Sequence, residues 1–253
     1  MIKTFFSSLR IIFYLFILVL VYVFYLSRDL PSLERLETFD PAMLSTLYDR
    51  NGEVIGEFYI QKRVFVDIED MPNHLKNAAI ASEDKRFYSH WGVDLQSFFR
   101  AVVVNVSSMS FRQGFSTLSQ QLARNLYKEV GFKDSITRKL KEMITAIQIE
   151  RTYTKDEILE MYLNTVHFGH GTYGAESAAK RFFNKNASDL TIGESAMLIG
   201  LLPSPANYSP LRNLNKAIGR RSIVLKLMYN QDFISYQEYM AVSYTHLTLP
   251  TTT

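Results

Sequence analysis

From Ile11 to Leu26 every residue is apolar or aromatic, and no charge stands between Arg10 and Arg28. With Phe5 and Leu9 added, the run approaches the ~20 residues that an α-helix needs to cross the hydrocarbon core of a bilayer. Tyr22 and Tyr25 suit the outer interfacial belt. Lys3, Arg10 and the amino terminus precede the run, whereas Arg28, Asp29, Glu34, Arg35 and Glu37 follow it with mixed sign. The positive-inside rule then places the N-terminus in the cytoplasm and everything after the run outside. The competing reading is a cleaved signal peptide. Tyr25-Leu26-Ser27-Arg28-Asp29-Leu30 offers no small-x-small cleavage site, which favours an uncleaved anchor.

The chain has 253 residues, enough for one sizeable domain beyond the anchor. A net charge of +3 is too small to argue for a nucleic-acid partner, though it suits an anionic lipid surface. There are no cysteines, which excludes disulfides, thiolate metal sites and a cysteine nucleophile. Residues 27–44 read as a polar linker broken by Pro31 and Pro41. Thr46 to Phe58 reads as a hairpin around Asn51-Gly52, and Arg63-Val64-Phe65-Val66-Asp67-Ile68 alternates like a further strand. The rest is helical. Asn73 is expected to cap a helix running to about Ser82. Thr154/Glu157, Thr191/Glu194 and Ser235/Glu238 fit capping boxes and mark three helix starts. A helix from Ser135 to about Arg151 carries Ile136, Leu140, Met143 and Ile147 as its expected core stripe. The apolar stretch from Phe98 through Met109, Phe111 and Phe115 has two readings, a buried helix with a loop or a surface that dips into lipid. The Thr-rich end, residues 242–253, departs from all that precedes it. It reads as non-native read-through, with a natural flexible tail as the alternative.

The chemistry centres on Glu83-Asp84, followed by Phe87, His90 and Gly92. A carboxylate where a helix runs out, beside a turn, is well placed to be a general base; the alternative is an ordinary solvated charge. Downstream, Gly114-Phe115-Ser116-Thr117-Leu118-Ser119-Gln120-Gln121-Leu122-Ala123-Arg124-Asn125 looks like a loop entering a helix, with Ser116 or Thr117 as cap. Arg138 and Glu142 stand one turn apart. Read blandly, they form a solvated pair worth ~0.3–0.5 kcal/mol. His167 and His170 are three apart but on a Gly-rich segment, a poor metal site. Ser177-Ala178-Ala179-Lys180 satisfies Ser-x-x-Lys, yet no Lys-Thr-Gly or Ser-x-Asn partner follows. No phosphate-cradling P-loop or dinucleotide fingerprint is present.

Five blocks carry a resemblance: Glu83-Asp84 with Phe87, His90 and Gly92; the Gly114–Asn125 segment; Arg138-Lys139-Leu140-Lys141-Glu142; Tyr162-Leu163-Asn164 with Gly169-His170-Gly171-Thr172-Tyr173-Gly174; and Leu201-Leu202-Pro203-Ser204-Pro205 with Asn207-Tyr208-Ser209-Pro210. In this order and spacing they resemble the peptidoglycan glycosyltransferase domain of class A penicillin-binding proteins and monofunctional cell-wall transglycosylases, over roughly residues 45–230. The resemblance implies a mainly α, lysozyme-like helical domain, here with a small N-terminal β element and one N-terminal transmembrane helix. The expected division is 1–10 cytoplasmic, 11–26 anchor, 27–44 linker, 45–230 catalytic domain and 231–253 C-terminal segment. It implies a periplasmic enzyme on the cytoplasmic membrane that polymerises lipid II into glycan strands with inversion and release of undecaprenyl diphosphate. Its partners would be lipid II, the growing strand, membrane lipid and other cell-wall synthesis proteins, with no nucleic acid. A transpeptidase domain following in the native gene is an open possibility.

Carried onto this chain, the resemblance makes Glu83 the base and Glu142 the second catalytic glutamate, which either holds a divalent ion or orients Lys139. Asp84, Ser116, Thr117, Gln121, Arg124, Asn125, Arg138 and Lys139 are the expected substrate contacts. Glu150 is a rival on the helix of Glu142, matching the structural end of that block. Arg124 stands where the family commonly has lysine. Asp134 stands where it often has arginine, and Lys133 is the candidate to replace that charge. No protein metal site and no organic cofactor are expected, but Mg²⁺ or Mn²⁺ on the diphosphate is. Two alternatives stay open: a lysozyme-like glycan-cleaving enzyme with Glu83 as acid, and a non-catalytic anchored scaffold of wall assembly.

Overall fold

The structure is a computed structural model that describes residues 2–28, 30, 33, 45–50, 54–58, 64–108, 114, 116–128 and 136–244. Helix α1 spans Ile2–Ser27. Strands β1 (Ser45–Tyr48) and β2 (Val54–Phe58) pair antiparallel, with Ser45 opposite Phe58 and Leu47 opposite Gly56. The expected turn at Asn51-Gly52 lies outside the described residues, as do Lys133, Asp134, most of the 27–44 linker and the Thr-rich end from residue 245. Then come α2 (Asn73–Glu83), α3 (Leu95–Ser107), α4 (Leu118–Lys128), α5 (Ile136–Thr152) and α6 (Lys155–Thr165). A short ribbon of β3 (His167–Gly169) and β4 (Thr172–Tyr173) leads into α7 (Ala175–Phe183), α8 (Ile192–Leu201), α9 (Pro205–Tyr208), α10 (Leu214–Tyr229) and α11 (Tyr236–Tyr244).

Helix α8 is the axis of the domain. It is apolar on nearly every side, and every residue from Gly193 to Leu201 is buried, as such a pattern requires. Helices α2 and α10 pack on it and on each other. Gly200 permits the close approach of α10, because a Cβ there would lie 3.2 Å from the Cβ of Arg220. On the other side α4 packs against α5 and α6. One apolar core runs through both halves, including Leu75, Phe87, Leu122, Ile149, Tyr162, Phe182 and Met197. Each such large side chain contributes roughly 1.5–3 kcal/mol by leaving water. All three expected capping boxes are formed, at Thr154/Glu157, Thr191/Glu194 and Ser235/Glu238.

Several expectations are corrected. Pro72, not Asn73, occupies the N-cap of α2, and its carbonyl accepts from the Leu75 N–H. Residues 64–68 are not a strand. Val66 is instead clamped by Asn164, whose Oδ1 accepts from the Val66 N–H at 3.0 Å and whose Nδ2 donates to the Val66 carbonyl at 2.8 Å. One side-chain amide there replaces a partner strand. On α5 the buried row is Lys141, Glu142, Thr145, Ala146 and Ile149, whereas Leu140, Met143 and Ile147 are only half-buried. The contact with α4 selects a polar row because that row carries charge partners, described below. The 98–107 stretch is not a buried helix. On α3 Ala101 alone is buried, and Phe99, Val103 and Val106 are 64%, 67% and 72% exposed.

Helix α1 packs against α5, buries Leu26 and brings the Tyr22 hydroxyl within 3.4 Å of the Thr137 hydroxyl. Its side chains from Phe13 to Val21 are exposed and apolar or aromatic. Among the described residues no helix is long and apolar enough to cross a membrane. The side chains of α1 before Phe13 are outside the described set apart from Arg10.

Candidate active site

The junction of α2, α4 and α5 is built by one carboxylate and one glycine. Asp84 caps the end of α2, its N–H bonding the Ile80 carbonyl. Its Oδ2 accepts from the Leu118 N–H at 3.0 Å and from His90 Nε2 at 2.9 Å. A carboxylate at the first free N–H of α4 also complements the positive end of that helix. His90 Nδ1 accepts from the Gly92 N–H at 3.1 Å, which assigns the ring proton to Nε2, facing Asp84. Gly92 sits at φ +101°, and a Cβ there would lie 2.7 Å from the Ala146 carbonyl oxygen of α5. Thr117 completes the knot. Its hydroxyl donates to the Gly92 carbonyl at 2.7 Å and accepts from the Gln120 N–H at 3.2 Å, as a helix cap does.

This junction opens into a cleft of about 690 Å³. Glu83, Asp84, Ser116, Thr117 and Gln121 line it, all five anticipated from sequence. Glu83 is the last residue of α2. Its Oε2 accepts from Gln121 Nε2 at 3.0 Å and its Oε1 from the Ser82 hydroxyl at 3.4 Å. Burial raises its affinity for a proton above that of an ordinary glutamate. The hydrogen bonds from Gln121 and Ser82 and the charge of Arg220 only partly oppose this. Glu83 is therefore not a solvated charge but a carboxylate tuned towards basicity.

A second cluster adjoins the cleft. Glu142 is 0% exposed and is ion-paired with Arg124 Nε at 3.3 Å, Arg138 Nε at 3.1 Å and Lys139 Nζ at 3.3 Å. The bland reading of Arg138 and Glu142 as a solvated pair is thereby overturned. Lys139 Nζ also donates to the Ser116 hydroxyl at 2.8 Å and to Gln120 Oε1 at 3.1 Å. Ser116 thus belongs to both the cleft and the cluster. Burial lowers the proton affinity of Lys139, Arg124 and Arg138 lower it further, and Glu142 opposes them. Three cations thus gather around one carboxylate beside the cleft. A cluster of guanidinium and ammonium groups suits a phosphate-bearing polyanion.

The remaining residues singled out from the sequence take other places, and Asp84 takes a structural one. Asn125 is half-buried on α4 and does not line the cleft. Asp84 is buried and committed to His90 and Leu118, so its geometry is that of a structural clasp at the cleft wall. Glu150 is held by the Ser119 hydroxyl at 2.5 Å and by Lys155 at 2.7 Å, away from the cations around Glu142. His167 lies against the Tyr173 ring, His170 meets the Ser209 hydroxyl at 2.8 Å, and Lys180 is paired with Glu176. No group of three or more metal-ligating side chains occurs among the described residues.

Three features were not foreseen. Arg220 on α10 lines the cleft opposite α4, and its charge acts on Glu83. No local pattern marks it, because it reaches the site only through the packing of α10 on α8 and α2. Tyr162, quoted above as part of a block, bonds Gln121 Oε1 through its hydroxyl at 3.2 Å. Asp94 caps α3 by accepting from the Ser97 N–H at 2.9 Å and is gripped by Arg86. Burial works to raise its proton affinity, but the Arg86 and Ser97 hydrogen bonds prevail and hold it far below the usual carboxylate range.

Residues 51–229 match the family described as Transglycosylase. Penicillin-binding protein 1A of Neisseria gonorrhoeae is 45% identical over 209 residues, 83% of this chain and 26% of that protein. Penicillin-binding protein 1A of Aquifex aeolicus is 39% identical over 231 residues, 91% of this chain and 32% of that protein. The chain therefore spans about a quarter to a third of the length of these curated relatives. The crystal structure of penicillin-binding protein 1A from Haemophilus influenzae aligns with a TM-score of 0.46 at 24% identity, over 81% of this chain and 20% of that one.

Proposed function

This chain belongs to the transglycosylase family, and from that premise we propose that it is a membrane-anchored peptidoglycan glycosyltransferase that polymerises lipid II into glycan strands. The supporting observation is the juxtaposition of two unlike groups. Glu83, a carboxylate made more basic by burial, faces the cleft, and a cation-rich cluster adjoins it through Ser116. Transfer of a sugar from a diphosphate needs both.

In this reading Glu83 takes the proton of an acceptor sugar 4-hydroxyl as that oxygen attacks the donor's anomeric carbon. Attack from the face opposite the leaving group inverts the configuration. The C–O bond to the diphosphate breaks, and the charge that collects on its oxygens is met by Arg124, Arg138 and Lys139. Glu142 holds those cations in place and does not reach the cleft. Its carboxylate is already taken up by three cations, so it is a poor metal ligand. A Mg²⁺ or Mn²⁺ ion taking part would be carried by the diphosphate itself. The exposed apolar faces of α1 and α3 suit the lipid from which the substrate's tail is presented. Residues 1–10 would then lie in the cytoplasm, 11–26 in the bilayer and the domain from 45 to 230 outside.

The decisive experiment is lipid II turnover by purified Glu83→Gln. Loss of a general base lowers the rate by ~10²–10⁴. Near-normal polymerisation by a folded variant would remove Glu83 from this role. Cleavage of preformed glycan strands by the wild-type chain would favour a hydrolase instead.

A further inference from the structure

We infer that Tyr162 is a positioning residue for this reaction, acting through the Gln121 amide to keep Glu83 a carboxylate ready to accept a proton. The inference rests on the reading of Glu83 as base given above. Tyr162 is 0% exposed on α6 and does not line the cleft, so it cannot touch a substrate held there. Its hydroxyl donates to Gln121 Oε1 at 3.2 Å, and Gln121 Nε2 donates to Glu83 Oε2 at 3.0 Å. The two bonds form a chain with one direction. An ionised carboxylate only accepts, so Gln121 must turn its NH₂ group to Glu83 and its carbonyl oxygen to α6. Donation into that carbonyl polarises the amide and strengthens the N–H bond to the carboxylate.

The choice of residue supports this. Phenylalanine would fill the same apolar core without burying a hydroxyl, which costs free energy unless it is bonded. Gln121 Oε1 is the partner that bonds it. Burial and the neighbouring charge of Glu83 push the phenol's proton affinity well up, so Tyr162 stays a donor throughout. The other charged groups facing Glu83 and Tyr162 are Asp84 at the end of α2, Arg220 on α10 and Arg124 on α4. Asp84 is engaged by His90 and Leu118, and Arg124 by Glu142. Arg220 Nε donates to the Gly200 carbonyl at 3.4 Å, and the bonds of the Gln121 amide are those to Glu83 and Tyr162, not to any of these three groups.

The test is a titration of the Glu83 side-chain carboxyl by ¹³C NMR in the detergent-solubilised full chain, with Glu83→Gln identifying the signal. This readout needs no turnover. In Tyr162→Phe the midpoint moves to higher pH, because the carboxylate loses support. Gln121→Met also raises it, and adding Tyr162→Phe to Gln121→Met raises it no further. Site-specific 3-fluorotyrosine at position 162 keeps the hydroxyl, makes it a stronger donor and moves the midpoint to lower pH. That second probe also covers a Tyr162→Phe chain that does not fold. On lipid II, Tyr162→Phe lowers kcat at neutral pH by about three- to ten-fold, as loss of one hydrogen bond would. KM is unchanged, and the acid limb of the rate profile moves to higher pH. An unmoved midpoint in both probes, or a full extra step in the Gln121→Met background, overturns the inference. Absence of turnover in the wild type would instead overturn the proposed function and leave the titration to decide on Tyr162.

Discussion

A buried carboxylate with three cationic partners is costly to disturb. Taking Glu142 out of water is tolerable only because Arg124, Arg138 and Lys139 surround it. The cations in turn are held close to one another only because Glu142 lies between them. In the proposed reaction these cations would meet the diphosphate, which concentrates negative charge as it departs. Lys139→Ala should therefore lower kcat more than it raises KM, since the interaction strengthens in the transition state. Lys139→Ala also takes one of three partners from the fully buried Glu142, so its thermal unfolding midpoint should fall, and kcat is compared below that midpoint. Steady-state glycan synthesis at saturating lipid II checks this, and a normal kcat in a folded variant would shift the role to other cations. Arg124 and Lys139 were readable as candidates from their motifs. The burial of Glu142 was not, because an i,i+4 pair with Arg138 looks the same on a solvated face as on one sealed by a neighbouring helix. Arg220 and the Gln121–Tyr162 bond were illegible for a like reason: each partner comes from a different helix, and only packing joins them.

The site exists because three helices meet at fixed distances, and Gly92 sets one of them. Its positive φ and its contact with the α5 backbone both require the absence of a Cβ. Gly92→Ala should cost about 1–3 kcal/mol from the backbone conformation alone. The 2.7 Å approach to the Ala146 oxygen adds to this, because a backbone carbonyl cannot step aside as a flexible side chain can. Chemical denaturation measures the loss, and a midpoint equal to the wild type would show that α5 yields at no cost. Turnover should fall too, since α5 carries Arg138, Lys139 and Glu142. Much at this scale was legible. The three capping boxes formed as expected because capping is local, its partners lying three residues apart. The core face of α5 was misread because hydrophobic periodicity locates an apolar stripe but does not reveal a polar row buried by its charge partners. The segment at 64–68 looked like a strand because its alternation is real, but its backbone partner is the side chain of Asn164 rather than a second strand.

For the whole molecule, the apolar surface left open is what would orient it at the proposed membrane. Helix α1 presents Phe13 to Val21 outward, and α3 presents Leu95, Phe99, Val102, Val103 and Val106 along one face. Trp91, in the turn before α3, is also exposed. Both helices would lose nothing by facing lipid and much by facing water. Charge gives the direction: Lys3 and Arg10 precede the apolar run of α1, and mixed charges follow it. The cation cluster would then lie on the outer side, where a diphosphate at the membrane surface can reach it. The lack of any native cysteine makes this testable by single-cysteine labelling. Ser188, exposed between α7 and α8, should react in intact spheroplasts as Ser188→Cys with a maleimide that cannot cross membranes. Ser7→Cys, on the N-terminal side of the run, should react only after the membrane is opened. Lipid II turnover by each variant guards against disruption by the label site itself. The reverse pattern would place the domain in the cytoplasm, and equal labelling of both sites in sealed cells would mean that the chain is not held across the bilayer.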